Sequence, residues 1–510
     1  MTSETQAREF FEQCLKAAVL GEAQAQTELG ACYLNGKGTE KNQAEAVKWF
    51  RLSAAQGDEE GTFYMGRCHD RGEGVPKNVA EAACWYRRAA DLGHPKAQFN
   101  LGNQYMKGDG VPKDPQEAAK WFRKSAEQGI GRAQLNLGNL YSNGVGVPQD
   151  DHEARKWWRM AAEQDETGAQ MNLARSYQNG QGTEPDLDQA MAWYAKAAEN
   201  GVSEAQFSLG CTYSAGEVVA MDQAAAVRWW RLAAEQDHHG AQFLLGNCYV
   251  NGEGVEADFV EAYALLEIAK STIDLAREGQ EILIEMMTFD DITRGLDLAD
   301  EIRIALDHRK NAEQGDANAQ LALGISYAEG LGILKDRIHA EKWLRKAAGQ
   351  GNAEAQYQLG NQLNESDARG KHEAASWWLL AAEQGHAAAQ FNLASCYGDG
   401  QGVEKDNIKE AYWYRRASEQ GHLEARFNLG IQYLNGDGVP KDEIEAYAYW
   451  KLSMLTFIDQ AHYQRTGEMI VDQNNRLLQL EKRLSPEDRE RGDERARLLR
   501  KEIDEKQAGK

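Results

Sequence analysis

Residues 95–129 read PKAQFNLGNQYMKGDGVPKDPQEAAKWFRKSAEQG, a stretch with a helix signal on each side of a glycine turn. In its first half, Ala97, Leu101 and Tyr105 are spaced four residues apart, which places them on one face of a helix. Gly102 belongs to the same face, where the missing side chain permits a close approach by a neighbouring helix. This half therefore predicts a first helix whose apolar face packs against a partner.

The second half predicts another helix with well-defined ends. Asp114 is a typical N-cap, Pro115 suits the first helical position, and Glu117 is placed to close a capping box. The preceding turn contains Gly108 and Gly110, which readily adopt positive φ. The apolar stripe of the second helix is Ala118, Trp121, Phe122 and Ala126, and the expected left-handed residue after the helix is Gly129.

This helix–turn–helix unit recurs with a period of 36 residues. The loop glycine occurs at Gly36, Gly72, Gly108, Gly144, Gly180, Gly216 and Gly252, and again at Gly330, Gly400 and Gly436. All 13 Trp occupy one of two adjacent repeat positions, which indicates packing between repeats rather than a ligand-binding aromatic box. Because stacked units bury one continuous core, the pattern predicts an all-α solenoid of eleven repeats.

The repeated motif resembles the Sel-one-like repeat (SLR) family, a longer-looped relative of the tetratricopeptide repeat. The sixth copy carries the match in Ala205-Gln206-Phe207-Ser208-Leu209-Gly210-Cys211-Thr212-Tyr213 and Trp229-Trp230-Arg231-Leu232-Ala233-Ala234. The ninth copy departs from it, since its loop is shortened to Asn364-Glu365-Ser366-Asp367. The resemblance implies a right-handed α/α superhelix that serves as an adaptor, scaffold or inhibitor in bacterial signalling, host interaction or toxin immunity.

The repeat pattern divides the chain into five segments. We expect an N-terminal capping helix at 1–21, repeats 1–7 at 22–254, a helical insertion at 255–315, repeats 8–11 at 316–442 and C-terminal capping helices at 443–510. The second helix of repeat 7 is predicted to run on through Met287, before a new helix capped at Thr288.

The insertion at 255–315 has two possible roles. It may cap the first array internally, because a solenoid needs a polar-backed end where its stacking stops. Alternatively it is a docking or dimerisation element, with an apolar surface formed by Met286, Met287, Phe289, Ile292 and Leu296.

Charge and hydropathy exclude several classes of partner. The formal net charge of −23 comes without any block of Lys or Arg, which argues against binding to nucleic acid or to an anionic membrane surface. No apolar run is long enough for a membrane span, and the N-terminus lacks the apolar segment of a secretory signal. We expect a cytoplasmic protein, with a signal removed before residue 1 left open.

The sequence contains no constellation that would support catalysis, a cofactor or a metal. His-Glu-x-x-His, phosphate-binding loop and nucleophile-elbow motifs are absent, and the Gly-x-Gly turns lie between helices rather than after a strand. His94, His238, His386 and His422 each follow a repeat end, where we expect them to open the next helix rather than bind metal. The seven Cys lack a repeated pair and are predicted to be small buried thiols.

Alignment of Leu101-Gly102 with the tetratricopeptide Leu-Gly implies which first-helix residues line a concave groove. The predicted partner-binding residues are Arg67, Arg71, Phe99, Asn103, Lys107, Asn139, Asn143, Arg175, Asn179, Asn247 and Asn251. Asn and Arg side chains can grip a peptide backbone and its carboxylates. For the Asn residues, hydrogen bonding between neighbouring helices is an equally good interpretation, whereas the cations favour an acidic or phosphorylated partner.

The function that follows is a non-enzymatic scaffold or adaptor that binds a protein partner in this groove. A second hypothesis, allowed by the resemblance, is an immunity protein that inhibits a cognate secreted toxin such as a lipase effector. A third, from a different class, is an enzyme or a binder of cell-wall fragments, which the missing motifs disfavour.

Overall fold

The computed structural model describes residues 3–459 and 467–508, and every regular element within these ranges is an α-helix. The all-α class predicted from the sequence is therefore confirmed. Most of the helices are 13 residues long and come in pairs joined by short loops, as the 36-residue period requires.

Helix α1 (Ser3–Val19) is followed by seven two-helix repeats. Repeats 1–4 are α2 (Ala23–Asn35) with α3 (Gln43–Ala55), α4 (Glu59–Arg71) with α5 (Val79–Asp91), α6 (Pro95–Lys107) with α7 (Pro115–Glu127), and α8 (Gly131–Asn143) with α9 (Asp151–Ala162). Repeats 5–7 are α10 (Thr167–Asn179) with α11 (Leu187–Glu199), α12 (Ser203–Ala215) with α13 (Gln223–Ala234), and α14 (His239–Asn251) with α15 (Phe259–Ala269).

Two further helices, α16 (Asp274–Ile284) and α17 (Phe289–Glu313), precede the second array. Repeats 8–11 are α18 (Ala317–Glu329) with α19 (Arg337–Gly349), α20 (Ala353–Asn364) with α21 (Ala368–Glu383), α22 (Ala387–Asp399) with α23 (Asn407–Glu419), and α24 (Leu423–Asn435) with α25 (Glu443–Asp459). The chain continues with α26 (Gly467–Arg483) and α27 (Pro486–Ala508).

The chain forms two compact units. Unit 1 consists of Met1–Ala262 with Ala269–Gly279, and unit 2 consists of Tyr263–Ile268 with Gln280–Lys510. Unit 1 contains the first array except for Tyr263–Ile268 of α15, and unit 2 contains that segment and the second array.

The ends of the helices follow the predicted local chemistry, with one difference. Asp114 accepts hydrogen bonds from the backbone N–H groups of Gln116 and Glu117, both at 3.0 Å, and Gly129 has a φ of +87°. The predicted capping box is not formed, however. The Asp114 N–H donates to the Tyr105 carbonyl at 2.9 Å, while the Glu117 carboxylate accepts from Lys120 at 2.6 Å. The backbone of the first helix thus takes the place that the Glu side chain was expected to fill.

Within a repeat, the two helices meet at a glycine in the first and a large side chain in the second. A Cβ on Gly102 would lie 2.7 Å from the Phe122 ring, and a Cβ on Gly138 would lie 2.5 Å from the Trp158 ring. Neither distance is compatible with a real side chain, because carbon atoms in contact sit about 3.5–4.0 Å apart. The predicted close approach at Gly102 is therefore confirmed, and it recurs in both arrays.

Between repeats, a buried glutamine joins three helices. Gln98, which is 4% exposed, donates to the Ala90 carbonyl at the end of the preceding repeat, at 3.2 Å. Its side-chain oxygen accepts from Gln128 at 2.8 Å, and Gln128 also donates to the Gly93 carbonyl at 2.9 Å. Because the ends of α5, α6 and α7 are linked in this way, each helix terminus satisfies backbone groups of its neighbour.

The second loop glycine holds consecutive repeats together at the opposite end. A Cβ on Gly110 would lie 2.3 Å from the carbonyl oxygen of Val79, the first residue of α5, so the loop rests directly on that helix. The same contact joins Gly146 to the carbonyl of Pro115, at 2.2 Å. The Gly-x-Gly motif is therefore a packing device between repeats, which agrees with its interpretation as a turn rather than a nucleotide-binding loop.

The prediction that the second helix of repeat 7 runs on through Met287 is wrong. Helix α15 ends at Ala269, whose carbonyl accepts from the N–H groups of Thr272 and Ile273 at 3.1 and 3.0 Å. This turn separates α15 from α16, because Ser and Thr side chains compete with helical backbone bonds. The predicted cap of the following helix is confirmed, since Thr288 accepts from the Asp291 N–H at 3.2 Å.

The helices that follow repeats 7 and 11 use the same contact. Gly295 in α17 packs on the Tyr263 ring, where a Cβ would lie 2.7 Å from it, and Gly492 in α27 packs on the Tyr447 ring, at 2.5 Å. The tyrosines occupy the same place in Glu261-Ala262-Tyr263-Ala264 and Glu445-Ala446-Tyr447-Ala448. Each array is therefore followed by a helix whose glycine packs on the equivalent tyrosine.

The glycine contact gives a direct test of what holds a repeat together. A Cβ on Gly360 would lie 2.4 Å from Nε1 of Trp378, so we expect Gly360→Ala to lower the free energy of unfolding by about 1–3 kcal/mol through overpacking. Gly349 is a helical glycine with nothing within 4 Å of an added Cβ, and Gly349→Ala should instead raise stability by up to about 1 kcal/mol. Urea unfolding of the two variants measures both effects, and an equal response would contradict the proposed contact.

Candidate protein-binding face

The predicted binding residues fall mainly on two positions of the first helices, one helical turn apart. In α6 these positions are Asn103, which is half-buried, and Lys107, which is exposed at the end of the helix. We call the side of the first helices that carries these two positions the first-helix face. Unit 1 and unit 2 each have one.

Two of the predicted cations share a carboxylate within their own repeat. The Arg67 guanidinium donates to Glu73 through Nε at 3.2 Å, and Arg71 lies 3.9 Å from the other oxygen of the same carboxylate. Arg67 is also half-buried, with its guanidinium over the Tyr64 ring. Glu73 therefore partly neutralises both arginines inside repeat 2, so they attract an acidic partner less strongly.

The other two cations are more available. Lys107 is exposed, and no described carboxylate lies within ion-pair distance of its ammonium group. Arg175 is half exposed and pairs loosely with Glu204 at 3.6 Å, while the second oxygen of Glu204 lies 3.3 Å from His238. Pairs as exposed as this are worth at most about 1 kcal/mol, so an incoming carboxylate or phosphate can replace Glu204 at little cost.

The half-buried asparagines link neighbouring first helices. Asn139 accepts a hydrogen bond from Asn172 of the next repeat at 2.8 Å and from the Trp158 indole at 3.0 Å. Asn103 accepts from Asn136 in the same way, at 3.3 Å. For Asn103 and Asn139, these contacts support the interpretation that the asparagines bond neighbouring helices rather than a partner.

The remaining asparagines and the phenylalanine divide between surface and core. Asn143, Asn179 and Asn251 are exposed at the ends of their helices, and Asn143 donates to the Asn139 carbonyl at 2.8 Å, while Asn247 is half-buried. Phe99 is half-buried against Phe122, with ring centroids 5.9 Å apart. The exposed asparagines are therefore free to meet a partner, whereas Phe99 is chiefly a packing residue.

The histidines at the repeat ends are N-caps, as predicted. Nδ1 of His94 accepts from the Ala97 N–H at 3.1 Å, and Nε2 lies 2.8 Å from the Glu60 carboxylate. The imidazole also stacks on Phe63, with centroids 4.4 Å apart. This hydrogen bond from His94 lowers the pKa of Glu60, and at the equivalent His422 burial lowers the pKa of the imidazole. Each of these side chains is fully used in joining two repeats.

A row of arginines on the second helices is similarly occupied by the next repeat. Arg123 donates to the Tyr141 hydroxyl and Arg159 donates to the Tyr177 hydroxyl. In the second array, Arg415 donates to the Tyr433 hydroxyl at 2.8 Å. These cations therefore contribute to stacking of repeats.

The first-helix face of unit 2 has the opposite charge, which the sequence analysis missed. At the position of Lys107, repeats 8, 9 and 10 carry Glu329, Glu365 and Asp399. At the position of Asn103 the second array has uncharged residues only. Tabulating these positions over all eleven repeats would have revealed the reversal, because the repeat period alone identifies them.

The apolar surface proposed for the insertion is partly exposed. Phe289 is 86% exposed and Met286 is 58% exposed, and Leu296 is also exposed, whereas Met287 and Ile292 are half-buried. Exposed side chains of this size are typical of a contact surface. The docking interpretation of 255–315 therefore stays a hypothesis beside the capping one.

Within 3–459 and 467–508, no group of three or more His, Cys, Asp or Glu side chains is arranged to hold a metal ion. Over the same ranges, none of the helices combines the length and the apolar character that crossing a bilayer requires.

The predicted role of Asn139 can be separated from partner binding by stability. We expect Asn139→Ala to lower the free energy of unfolding by about 1–3 kcal/mol, because the buried Trp158 indole loses its acceptor. The exposed Asn179→Ala is the matched control and should stay within about 0.5 kcal/mol of the wild type. Chemical denaturation measures both free energies of unfolding. An unchanged value for Asn139→Ala would show that the hydrogen bonds of Asn139 are dispensable for folding.

The cysteines were predicted to be small buried thiols, and the structure confirms this for most of them. None of the seven is in a disulfide, and Cys14, Cys32, Cys68, Cys248 and Cys396 are buried, while Cys84 is exposed. Burial raises the pKa of Cys14 to about 12 and the pKa of Cys68, Cys248 and Cys396 to about 11.

These thiols should differ sharply in reactivity. At pH 8 we expect iodoacetamide to modify Cys84 in the native protein, while Cys68 and Cys248 react only after unfolding, because the thiolate is the nucleophile and burial disfavours it. Mass spectrometry of the labelled peptides identifies the sites, and labelling in denaturant provides the control. Native labelling of Cys68 at the rate of Cys84 would refute the buried assignment.

Comparison with known families places the repeats seen in the structure. The Sel1 repeat model matches residues 23–58, 60–94, 95–130, 131–166, 167–202, 203–238, 239–271, 317–352, 353–386, 387–422 and 423–453. These eleven matches cover most of the chain and leave out residues 272–316 and both ends. No curated protein matches the sequence.

The chain is also similar to solved structures. A protective antigen of uropathogenic Escherichia coli strains with an SLR fold, c5321, is 31% identical, with 97% of this chain and 95% of that chain covered and a TM-score of 0.50. A Sel1 repeat protein from Oxalobacter formigenes is 34% identical over 42% of this chain and 85% of its own, with a TM-score of 0.38. The immunity protein Pa5087 from Pseudomonas aeruginosa is 20% identical, over 41% and 82%, with a TM-score of 0.25.

The repeat model matches most of the chain, and the antigen with an SLR fold is 31% identical over nearly the whole of both chains. The resemblance drawn from the sequence is thereby confirmed: the chain belongs to the Sel1 repeat family.

Proposed function

We propose that this protein is a non-enzymatic scaffold or adaptor that binds an acidic segment of a protein partner along the first-helix face of unit 1. Sel1 repeat proteins are generally scaffolds for protein interactions, which supports the broad class. The observation that carries the finer proposal is charge. The two positions of the first-helix face hold Arg67, Arg71, Lys107 and Arg175 and no acidic residue in the first array, inside a chain of net charge −23.

The geometry refines which residues do the binding. Arg67 and Arg71 are occupied by Glu73, whereas Lys107 is unpaired and Arg175 holds only a loose, exposed ion pair. A carboxylate or phosphate on the partner would gain charge-assisted hydrogen bonds to Lys107 and Arg175. The exposed Asn143 and Asn179 lie at the same helix ends and can bond the backbone of an extended segment. The binding site thus centres on repeats 3–5.

The partner is tested by affinity capture from the native organism. We expect the double variant Lys107→Glu/Arg175→Glu to recover at least about tenfold less partner than the wild type, because two attractive charges become repulsive. The control variant is Arg228→Glu, an exposed arginine on a second helix of the same array, which makes the same kind of charge change away from the face. Equal recovery by the double variant and the wild type would overturn the proposal.

The same experiment separates the adaptor from the immunity protein. If the captured partner is an enzyme or toxin whose activity disappears on binding, the first-helix face acts as an inhibitory surface. If the partner stays active and brings further proteins with it, the protein acts as a scaffold. Both outcomes depend on the same residues, so the double variant tests either mode.

A further inference from the structure

Repeat 10 carries a charged residue where the other repeats carry alanine. Glu410 in α23 occupies the repeat position that is otherwise Ala46, Ala82, Ala118, Ala154, Ala190, Ala226, Ala262, Ala340, Ala374 and Ala446. These alanines are at most 3% exposed, so the position faces the interior of a repeat. A carboxylate here is costly, because burying a charge without a partner is unfavourable.

A second substitution in the same repeat makes room for this carboxylate. Gly398 in α22 occupies a position where the other ten repeats carry a side chain, as in Leu34, Met106 or Leu434. A Cβ on Gly398 would lie 2.5 Å from Oε1 of Glu410. The Glu410 carboxylate therefore occupies the space that a side chain at position 398 would need.

The opening is a polar cavity of about 380 Å³ between repeats 10 and 11. Its walls include Asp399, Asn407, Glu410, Asn428 and Gln432, with Asp437 and Lys405 on the two loops. Three carboxylates thus face one ammonium group. Asp399 belongs to the acidic first-helix face of unit 2, so the cavity opens from that face.

The cavity wall contains a polar side chain without a partner. Gln432 is 4% exposed, and neither its amide nitrogen nor its amide oxygen meets hydrogen-bond geometry with a described residue, although the amide lies close enough to Glu410 to lower the pKa of that carboxyl group. Gln104 and Gln362, at the same repeat position, lack a partner only for the side-chain oxygen. A buried amide with both atoms unsatisfied costs about 1–3 kcal/mol, which a bound polar group would recover.

The surroundings of the Glu410 carboxyl group favour pairing with a cation. Burial raises the pKa of this carboxyl group, and the nearby Asp399 and Asp437 act in the same direction, whereas Gln432 and Lys405 partly oppose the shift. A bound cation would reverse this effect, because an opposite charge favours the ionised form. A metal ion is a poor candidate, since no metal-ligand cluster occurs among the described side chains.

We propose that the cavity between repeats 10 and 11 binds a lysine or arginine side chain of a protein segment that lies on the acidic first-helix face of unit 2. The side-chain cation pairs with Glu410, and the polar atoms around it bond Gln432. The inference rests on the proposed protein-binding function and adds to it a basic segment as a second recognition element, at a face distinct from that of unit 1.

A neighbouring cavity extends this face along the array. About 280 Å³ is enclosed between repeats 9 and 10 by polar residues that include Asn361, Glu365, Asn392 and Asp399. The shortened loop of repeat 9 forms one side of it, through Asn364 and Glu365. Asp399 borders both cavities, so successive basic side chains of one extended segment can occupy them.

The proposal is tested with a fluorescent peptide in which arginine alternates with serine, compared with the same peptide carrying citrulline, a neutral isostere. In fluorescence anisotropy at low salt, we expect the full-length protein to bind the arginine peptide at least about tenfold more tightly than the citrulline peptide. Glu410→Gln should lower the affinity for the arginine peptide by about tenfold, because it removes only the charge of this half-buried side chain.

Two further variants control for folding and for net charge. Glu410→Ala restores the residue of the other ten repeats, so it should fold normally and bind the arginine peptide as weakly as Glu410→Gln. Glu404→Gln removes one exposed carboxylate from the loop of the same repeat and should change the affinity less than about twofold. Equal binding of the two peptides by the wild type, or an equal loss in Glu404→Gln and Glu410→Gln, would overturn the proposal.

The Lys107→Glu/Arg175→Glu variant distinguishes this proposal from the one above. Because its changes lie in the first array, it should bind the arginine peptide within about twofold of the wild type even if it captures no cellular partner. Loss of peptide binding in this variant, with Glu410 intact, would show that the peptide does not report on the cavity.

Discussion

The architecture depends on one steric constraint, the contact of a first-helix glycine with a large side chain of the second helix. A side chain at Gly138 or Gly360 would overlap the Trp158 or Trp378 ring, so the helices of these repeats approach closely because the first lacks a Cβ, whereas repeats 5 and 10 carry Ala174 and Ala394 at this position. The contact buries the rings that supply most of the apolar area in a unit too small to have a core of its own. Each repeat is therefore a thin layer whose remaining apolar surface must be covered by its neighbours.

Stacking of the layers is directed by polar groups that the interior cannot leave unpaired. The Gln98 amide joins the ends of three helices, and the His94 imidazole caps one helix while pairing with Glu60 of the preceding repeat. Since a buried polar group without a partner costs free energy, these residues favour one register between layers. Repeat 2 carries Thr62 and Leu92 at the positions of Gln98 and Gln128, where most other repeats have glutamines. Both partners of this hydrogen bond therefore change together.

A scaffold made in this way separates folding from recognition. Tryptophans, glutamines, histidines and the arginines that bond tyrosines are used in packing, and the function that we propose assigns recognition to the exposed positions of the first helices. Those positions are basic in the first array, at Lys107 and Arg175, and acidic in the second, at Glu365 and Asp399. One chain thereby presents two surfaces of opposite charge on a common framework.

The sequence by itself determined the helix class, the repeat boundaries, the caps at Asp114 and His94 and the close approach at Gly102, because each follows from spacing within one 36-residue unit. Only the tertiary structure decided the partners that lie a repeat away. It showed that Asn139 bonds Trp158 and Asn172, that Arg67 is held by Glu73, and that Gly398 makes room for Glu410. The physical reason is that a local pattern specifies where a helix begins and which face is apolar. Whether a polar side chain on that face is satisfied by a neighbour or left for a ligand depends on distances that only the stacked chain sets.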